Sequence, residues 1–304
     1  KARGMLMGIK RRTRIWTTVG TAALLGGLAG CSEPASDTPA DEVPQSQAEQ
    51  HDTGAAADHA AEPAAPAGGW SEGEGEGEGG SGGGEFGIDP VAAESDPVVY
   101  MIALEVMRAH YLAGIDAYRA GDRTAGAEMF AHPINEIYID FEPVLENLGA
   151  PLFGDTMTDA SVAPYSGAGE DEIVARVDDV LVAIDDAAGF APESDASEAE
   201  VHARVLTDLL ERGALQYRVA ASDAAAGEAY LDGYGFARAA ERYAAGHIDV
   251  IAAANPALAG VFAGLVDQLN AAFPTALRPD TLEGDAGALV SAVAAAKETV
   301  NTLP

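Results

Sequence analysis

Cysteine is nearly absent. The single residue at position 31 excludes an intrachain disulfide framework and any cysteine-rich metal site. Basic residues are scarce as well, 17 Lys and Arg against 49 Asp and Glu, for a formal charge of -32. They are also unevenly placed: the acid-free first 31 residues hold six of them, and none lies between Arg14 and Arg108. A surface this negative repels nucleic-acid phosphates and anionic lipid headgroups, so neither is expected as a partner. Aromatic residues make up 6% of the chain. No stretch alternates apolar and polar residues as a half-buried strand would. Signatures of common enzyme classes are missing too: there is no His-Glu-x-x-His, no Walker loop and no EF-hand spacing. Ser166 lacks the glycine frame and the feeding strand of a nucleophile elbow. The chain therefore does not read as an enzyme.

What is present divides into three parts. In residues 1–31, Lys10, Arg11, Arg12 and Arg14 precede a mostly apolar stretch, Ile15 to Leu28, the length of a signal-peptide core and too short for a stable span. It ends in Leu28-Ala29-Gly30-Cys31, which resembles the lipobox of bacterial lipoproteins. The resemblance implies a diacylglycerol on Cys31, stable anchoring through acyl chains at about 0.8 kcal/mol per buried CH2, and residence in the periplasm. Ser32 after the cysteine, where Asp would mark the inner membrane, implies the outer membrane.

Residues 32–95 hold 15 acids, no Lys or Arg, and much Ala, Pro, Gly and Ser. A segment with so little apolar bulk cannot offset its ordering entropy and reads as a disordered acidic tether. Gly75, Gly77 and Gly80 satisfy a GxGxxG pattern, but no strand precedes them and the interleaved glutamates would repel a phosphate. The run Glu72 to Gly79 reads as a self-repelling spacer, or alternatively as a weak multivalent cation binder.

Residues 96–304 read as an all-α domain, an antiparallel helical bundle or two packed ones. Asp96-Pro97 is a helix start, and Val98 to Ala120 follows as one helix ended by Gly121. Two apolar stripes on that helix predict packing on more than one side. A second helix is expected over Arg123 to Leu148, disturbed at Pro133 and Pro143. Only a short helix is expected between Pro151 and Gly169. Further helices are expected over Glu170 to Ala188, from the capping box Ser197 to Glu200 to about Ala221, and over Glu228 to Ala245, His247 to Ala254, Pro256 to Ala272 and Ala286 to Asn301.

Candidate chemistry sits on helix faces. His132 and Glu136 are one turn apart, the way bundle proteins present metal ligands. His110 lies 11 residues before Gly121 and His132 lies 11 after it, so an antiparallel pair sets them at one height. Glu142 and Tyr138 would supply further oxygens, and Met101, Met107 and Met129 leave copper open beside iron. On ideal helix geometry, however, the His132/Glu136 side faces solvent, and only a break at Pro133 or a second packing partner would bury it. The alternative is a core histidine at 110 and a solvated Glu136. His202 and His247 read as isolated, and the Asp178-Asp179 and Asp185-Asp186 pairs as a wet helix face.

Leu209-Leu210, Tyr217 and the run Glu228 to Phe236 resemble the helical hairpin in the extracytoplasmic part of bacterial high-affinity iron permeases. In kind, the domain is also similar to imelysin-like periplasmic bundles. The Arg-Glu-x-x-Glu motif of the permease core is absent, and His132 to Glu136 is one residue longer than the imelysin His-x-x-Glu. The resemblance implies a periplasmic helical domain handling iron or copper, with a metal-uptake permease as partner. A second reading, a lipoprotein whose bundle docks a protein without metal, stays open beside it.

Overall fold

In a computed structural model, residues 87–303 are described. Cys31 and nearly all of the acidic segment lie outside them. The architecture is all-α, with no strand among the described residues.

Helix boundaries follow local chemistry. α1 (Pro90–Ala93) and α2 (Pro97–Ala120) each begin with an aspartate cap and a proline, Asp89-Pro90 and Asp96-Pro97. Asp96 accepts from the Val98 amide at 2.8 Å. α2 ends at Gly121, whose φ of 106° is open to glycine and strained for other residues. Asp122 then caps α3 (Arg123–Pro133). A five-residue π turn (Ile134–Tyr138) joins α3 to α4 (Ile139–Leu148). The Pro151–Gly169 stretch forms α5 (Gly154–Val162) and one 3-10 turn (Ala163–Tyr165). α6 (Glu170–Ala188) keeps its expected limits. Ser197 caps α7 (Glu198–Ser222) through the Glu200 amide at 3.2 Å. α9 (Pro256–Ala272) and α10 (Ala286–Val300) start at the Asn255 and Asp285 caps. Each such cap contributes about 1 kcal/mol.

Two elements differ from expectation. α8 is one helix, Gly227–Ala254, where two were expected. Gly246 costs about 1 kcal/mol of helix propensity, but α7 and α9 pack on α8 and hold it continuous. α1 falls inside the stretch assigned to the tether; Ile88 and Ala93 are buried in the core, so folded structure begins before residue 96.

α2 is the axis of the fold, touching α3, α6, α7 and α8. Leu104, Met107 and Tyr111 of one stripe and Val106, Ala109 and Ala113 of the other are buried along it, while Val99 and Ile102 are half-buried. Among the described residues only α2 is long and apolar enough to cross a membrane, and most of it is buried inside the fold. Small residues set how closely its neighbours lie. A Cβ on Gly126 would meet the Gly114 carbonyl oxygen at 2.6 Å, and one on Gly235 would meet the Ala109 carbonyl oxygen at 2.5 Å. α3 and α8 thus lie backbone to backbone against α2, and the buried side chains form one continuous core.

Candidate metal centre

The centre is built where the α2–α3 hairpin folds on itself. Close approach at Gly114 and Gly126 brings the two equidistant histidines together, with ring centroids 6.2 Å apart and rings at 73°. Proline does the rest. Pro133 has no amide hydrogen to give the Met129 carbonyl four residues back, so the α-helical ladder is interrupted there. The Ile134 amide bonds the Ala131 and His132 carbonyls in place of Phe130, and the Phe130 carbonyl accepts from the Tyr111 hydroxyl at 3.2 Å. Past the break, the Ile139 amide donates five residues back, to the Ile134 carbonyl. A π turn advances less per residue than an α turn, so it swings the apolar face of α4 by about 100°, one residue's rotation, towards His132. His132 and Glu136 therefore flank the packed face, where ideal geometry set them opposite it. Their side chains are 28% and 21% exposed.

His110 lies deeper, at 2% exposure. Its Nδ1 lies 2.8 Å from the Val106 carbonyl oxygen, which can only accept, so the proton sits on Nδ1 and Nε2 carries a lone pair. Burial pushes its pKa down to about 4; the charges of His132 and Arg212 lower it further, and the bond to Val106 works in the opposite direction. At neutral pH this imidazole is uncharged and held in one tautomer, the state in which histidine binds metals. Nε2 is 3.7 Å from Glu136 Oε2, and His132 Nδ1 is 3.9 Å from Glu136 Oε1. One donor atom from each of the three residues lies within 4.8 Å of the others. Two donors each about 2 Å from one ion are at most ~4 Å apart, so the set fits an ion after closing by less than about 1 Å.

No protein-family model, curated protein or solved structure matches this chain. What the centre can do is therefore read from its own atoms.

Two imidazoles and a carboxylate suit iron, zinc or manganese, and three protein donors leave coordination positions open. His132 also lines a cleft of about 520 Å³ bounded by Glu128, Met129, Glu228 and Arg278. The cleft opens one side of His132 to solvent, and its acids Asp122, Glu128 and Glu228 outnumber its one arginine. Of the three methionines considered, Met129 alone lines it; Met101 and Met107 lie in the core.

Glu142 is not brought to the centre. It lies beside Tyr138, whose hydroxyl bonds to it and accepts the Phe153 amide at 2.9 Å, and it is not in the three-donor group. Sequence reasoning missed Asp232. This acid on α8 is enclosed near the centre, and its pKa rises to about 8 through burial first and then through the charges of Glu228 and Glu136. Its one-turn spacing from Glu228 on α8 mirrors Glu128 and His132 on α3 and Glu136 in the π turn after it. That pattern shows in the sequence only once α3 and α8 are known to border one cleft.

The isolated reading of His202 and His247 is corrected. Their rings stack at 3.8 Å across α7 and α8, and His202 Nδ1 lies 2.7 Å from the Tyr243 hydroxyl. Parallel rings do not converge on one ion, and the pair is not part of a three-donor group.

Proposed function

We propose that this chain is a membrane-anchored periplasmic lipoprotein that binds a transition metal, iron or copper, at His110, His132 and Glu136. The observation that carries the reading is the buried His110, its Nδ1 fixed on the Val106 carbonyl and its Nε2 directed towards Glu136 in a three-donor cluster with His132. Such a ligand needs no proton removed before it binds. The lipobox-like Leu28-Ala29-Gly30-Cys31 supplies the anchor, on the outer membrane by the Ser32 rule, and the acidic stretch supplies reach. Three protein donors with positions open to a cleft suit an ion that is taken up and handed on, as delivery to an uptake permease requires.

Metal analysis by mass spectrometry tests this, after chelation and exposure to Fe, Cu, Zn and Mn. One equivalent of a single metal is expected, lost in both His132→Ala and His110→Ala. Weak, salt-sensitive binding unchanged by either substitution would remove the site and leave the alternative, a lipoprotein whose bundle docks a protein partner.

A further inference from the structure

Building on the metal-binding reading, we propose that Asp232 is a fourth protein ligand, completing a set of two imidazoles and two carboxylates that selects a divalent cation over cuprous copper.

Placement comes first. Gly235 lets α8 lie on the Ala109 carbonyl of α2, next to His110 in sequence, and Asp232 stands one helical turn before Gly235. Its carboxyl feels the charges of Glu136 across the helix pair and Glu228 on its own helix. The second observation is the state of the side chain. Asp232 Oδ1 is buried and has no hydrogen-bond partner. A buried carboxylate oxygen without a donor is rare in folded proteins, because the lost hydration is not replaced. The acid is the sixth residue of α8, past the free amide hydrogens of that helix's own first turn. Its charged neighbours are acids, so they aggravate the cost.

A dication removes the cost. With Glu136 alone, a divalent ion leaves the buried centre with one net positive charge; with Asp232 added, the ion and its ligands sum to zero, as a low-dielectric site favours. Four donors also reach the lower end of the usual coordination number, which three do not. Asp232 stands outside the 4.8 Å set, so ligation has its side chain turn onto the ion. The resulting N2O2 set suits Fe(II), Mn(II) or Zn(II). Cuprous copper prefers sulfur and would draw on Met129 instead.

The test uses the full chain, stripped with a chelator and titrated anaerobically with Fe(II), Zn(II), Co(II) and Cu(I), beside Asp232→Asn, Asp232→Ala and His132→Ala. One equivalent of each dication is expected for the wild type. Affinity should fall by about tenfold or more in both Asp232 variants, with an altered visible spectrum of the Co(II) form and an unchanged Cu(I) affinity. Asp232→Asn keeps the side chain's shape and removes its charge, so its apoprotein should melt no lower than the wild type. Wild-type affinity and an unchanged Co(II) spectrum in both variants, with binding lost in His132→Ala, would overturn the role of Asp232 and leave the three-residue centre standing. Absence of stoichiometric binding by the wild type would overturn both.

Discussion

Histidines in this protein are set apart by what surrounds each ring. His110 is buried and bonded to a carbonyl, whereas His132 is partly open to the cleft. His247 stacks on His202, and its pKa is pushed down to about 4 by burial first and by the charge of His202 second, with Glu198 acting the other way. Its folded pKa therefore lies below the unfolded value of about 6.5. The unfolded chain binds the proton first, so the stability from burying His247 is complete above pH 6.5 and is lost as pH falls towards about 4. His202 is shifted in the same direction by burial. His247→Gln is expected to flatten the pH dependence of stability between pH 6.5 and 4 by up to one proton. Urea midpoints at several pH values check this, and an unaltered slope would mean the stack is not held neutral. Neither histidine advertises this in the sequence. Positions 202 and 247 belong to different helices, and only the packing of α7 on α8 makes them neighbours.

At the scale of elements, glycine spacing decides whether the metal centre can form. Gly126 touches α2 through its backbone, and a Cβ there would meet the Gly114 carbonyl oxygen at 2.6 Å and the Tyr118 amide nitrogen at 2.8 Å. Backbone atoms cannot rotate away as a side chain would. Gly126→Ala should force α3 off α2, cost about 1–3 kcal/mol as overpacking does, and weaken metal binding by separating His110 from His132. Thermal melts and metal titration check the two effects; normal affinity in a destabilised variant would show that the histidines re-find each other. Much at this scale was legible beforehand. Asp96-Pro97, Gly121 and Ser197 mark helix ends by local chemistry, which works within a few residues and needs no knowledge of the fold. The matched distances of His110 and His132 from Gly121 also survive into the structure, because a tight turn fixes the register of the hairpin. The π turn was not legible beyond a break at Pro133, since its form depends on where α4 must send Phe141, Val144 and Leu145. Asp232 was hidden for a related reason: its role rests on contact between α8 and the α2–α3 hairpin, more than 90 residues away in the chain.

Across the whole molecule, acids outnumber bases nearly threefold, yet a pair of arginines ties three helices together. Arg108 on α2, 2% exposed, bonds Glu105 on its own helix at 3.0 Å and Asp185 on α6 at 2.7 Å. Arg242 on α8 reaches the same Asp185 at 2.9 Å. Asp185 therefore does more than wet a helix face. Burial pushes the Glu105 carboxyl up, and the charge of Arg108 holds it down. Removing Arg108 alone leaves Glu105 buried without that charge, which costs about 3–5 kcal/mol in comparable pairs. Arg108→Met should approach that loss in chemical denaturation. The double variant Arg108→Met, Glu105→Gln should recover part of it, and an additive double variant would show that the two groups do not depend on each other.

The turn at Ile134–Tyr138 also carries a consequence for inheritance. Measured along the gene, the centre depends on reading-frame length as much as on any codon's identity. An in-frame loss of Asn135 would delete no ligand and no core residue, and α3 and α4 could each still address the core with the remaining turn in α-helical form. Glu136 would then stand three residues after His132 in place of four, still about one helical turn away but on the other flank of it. The setting of Glu136 against His132 in a lineage would be recorded as a one-residue difference in the spacing from Pro133 to Phe141, a mark that can be counted where no ligand has been substituted.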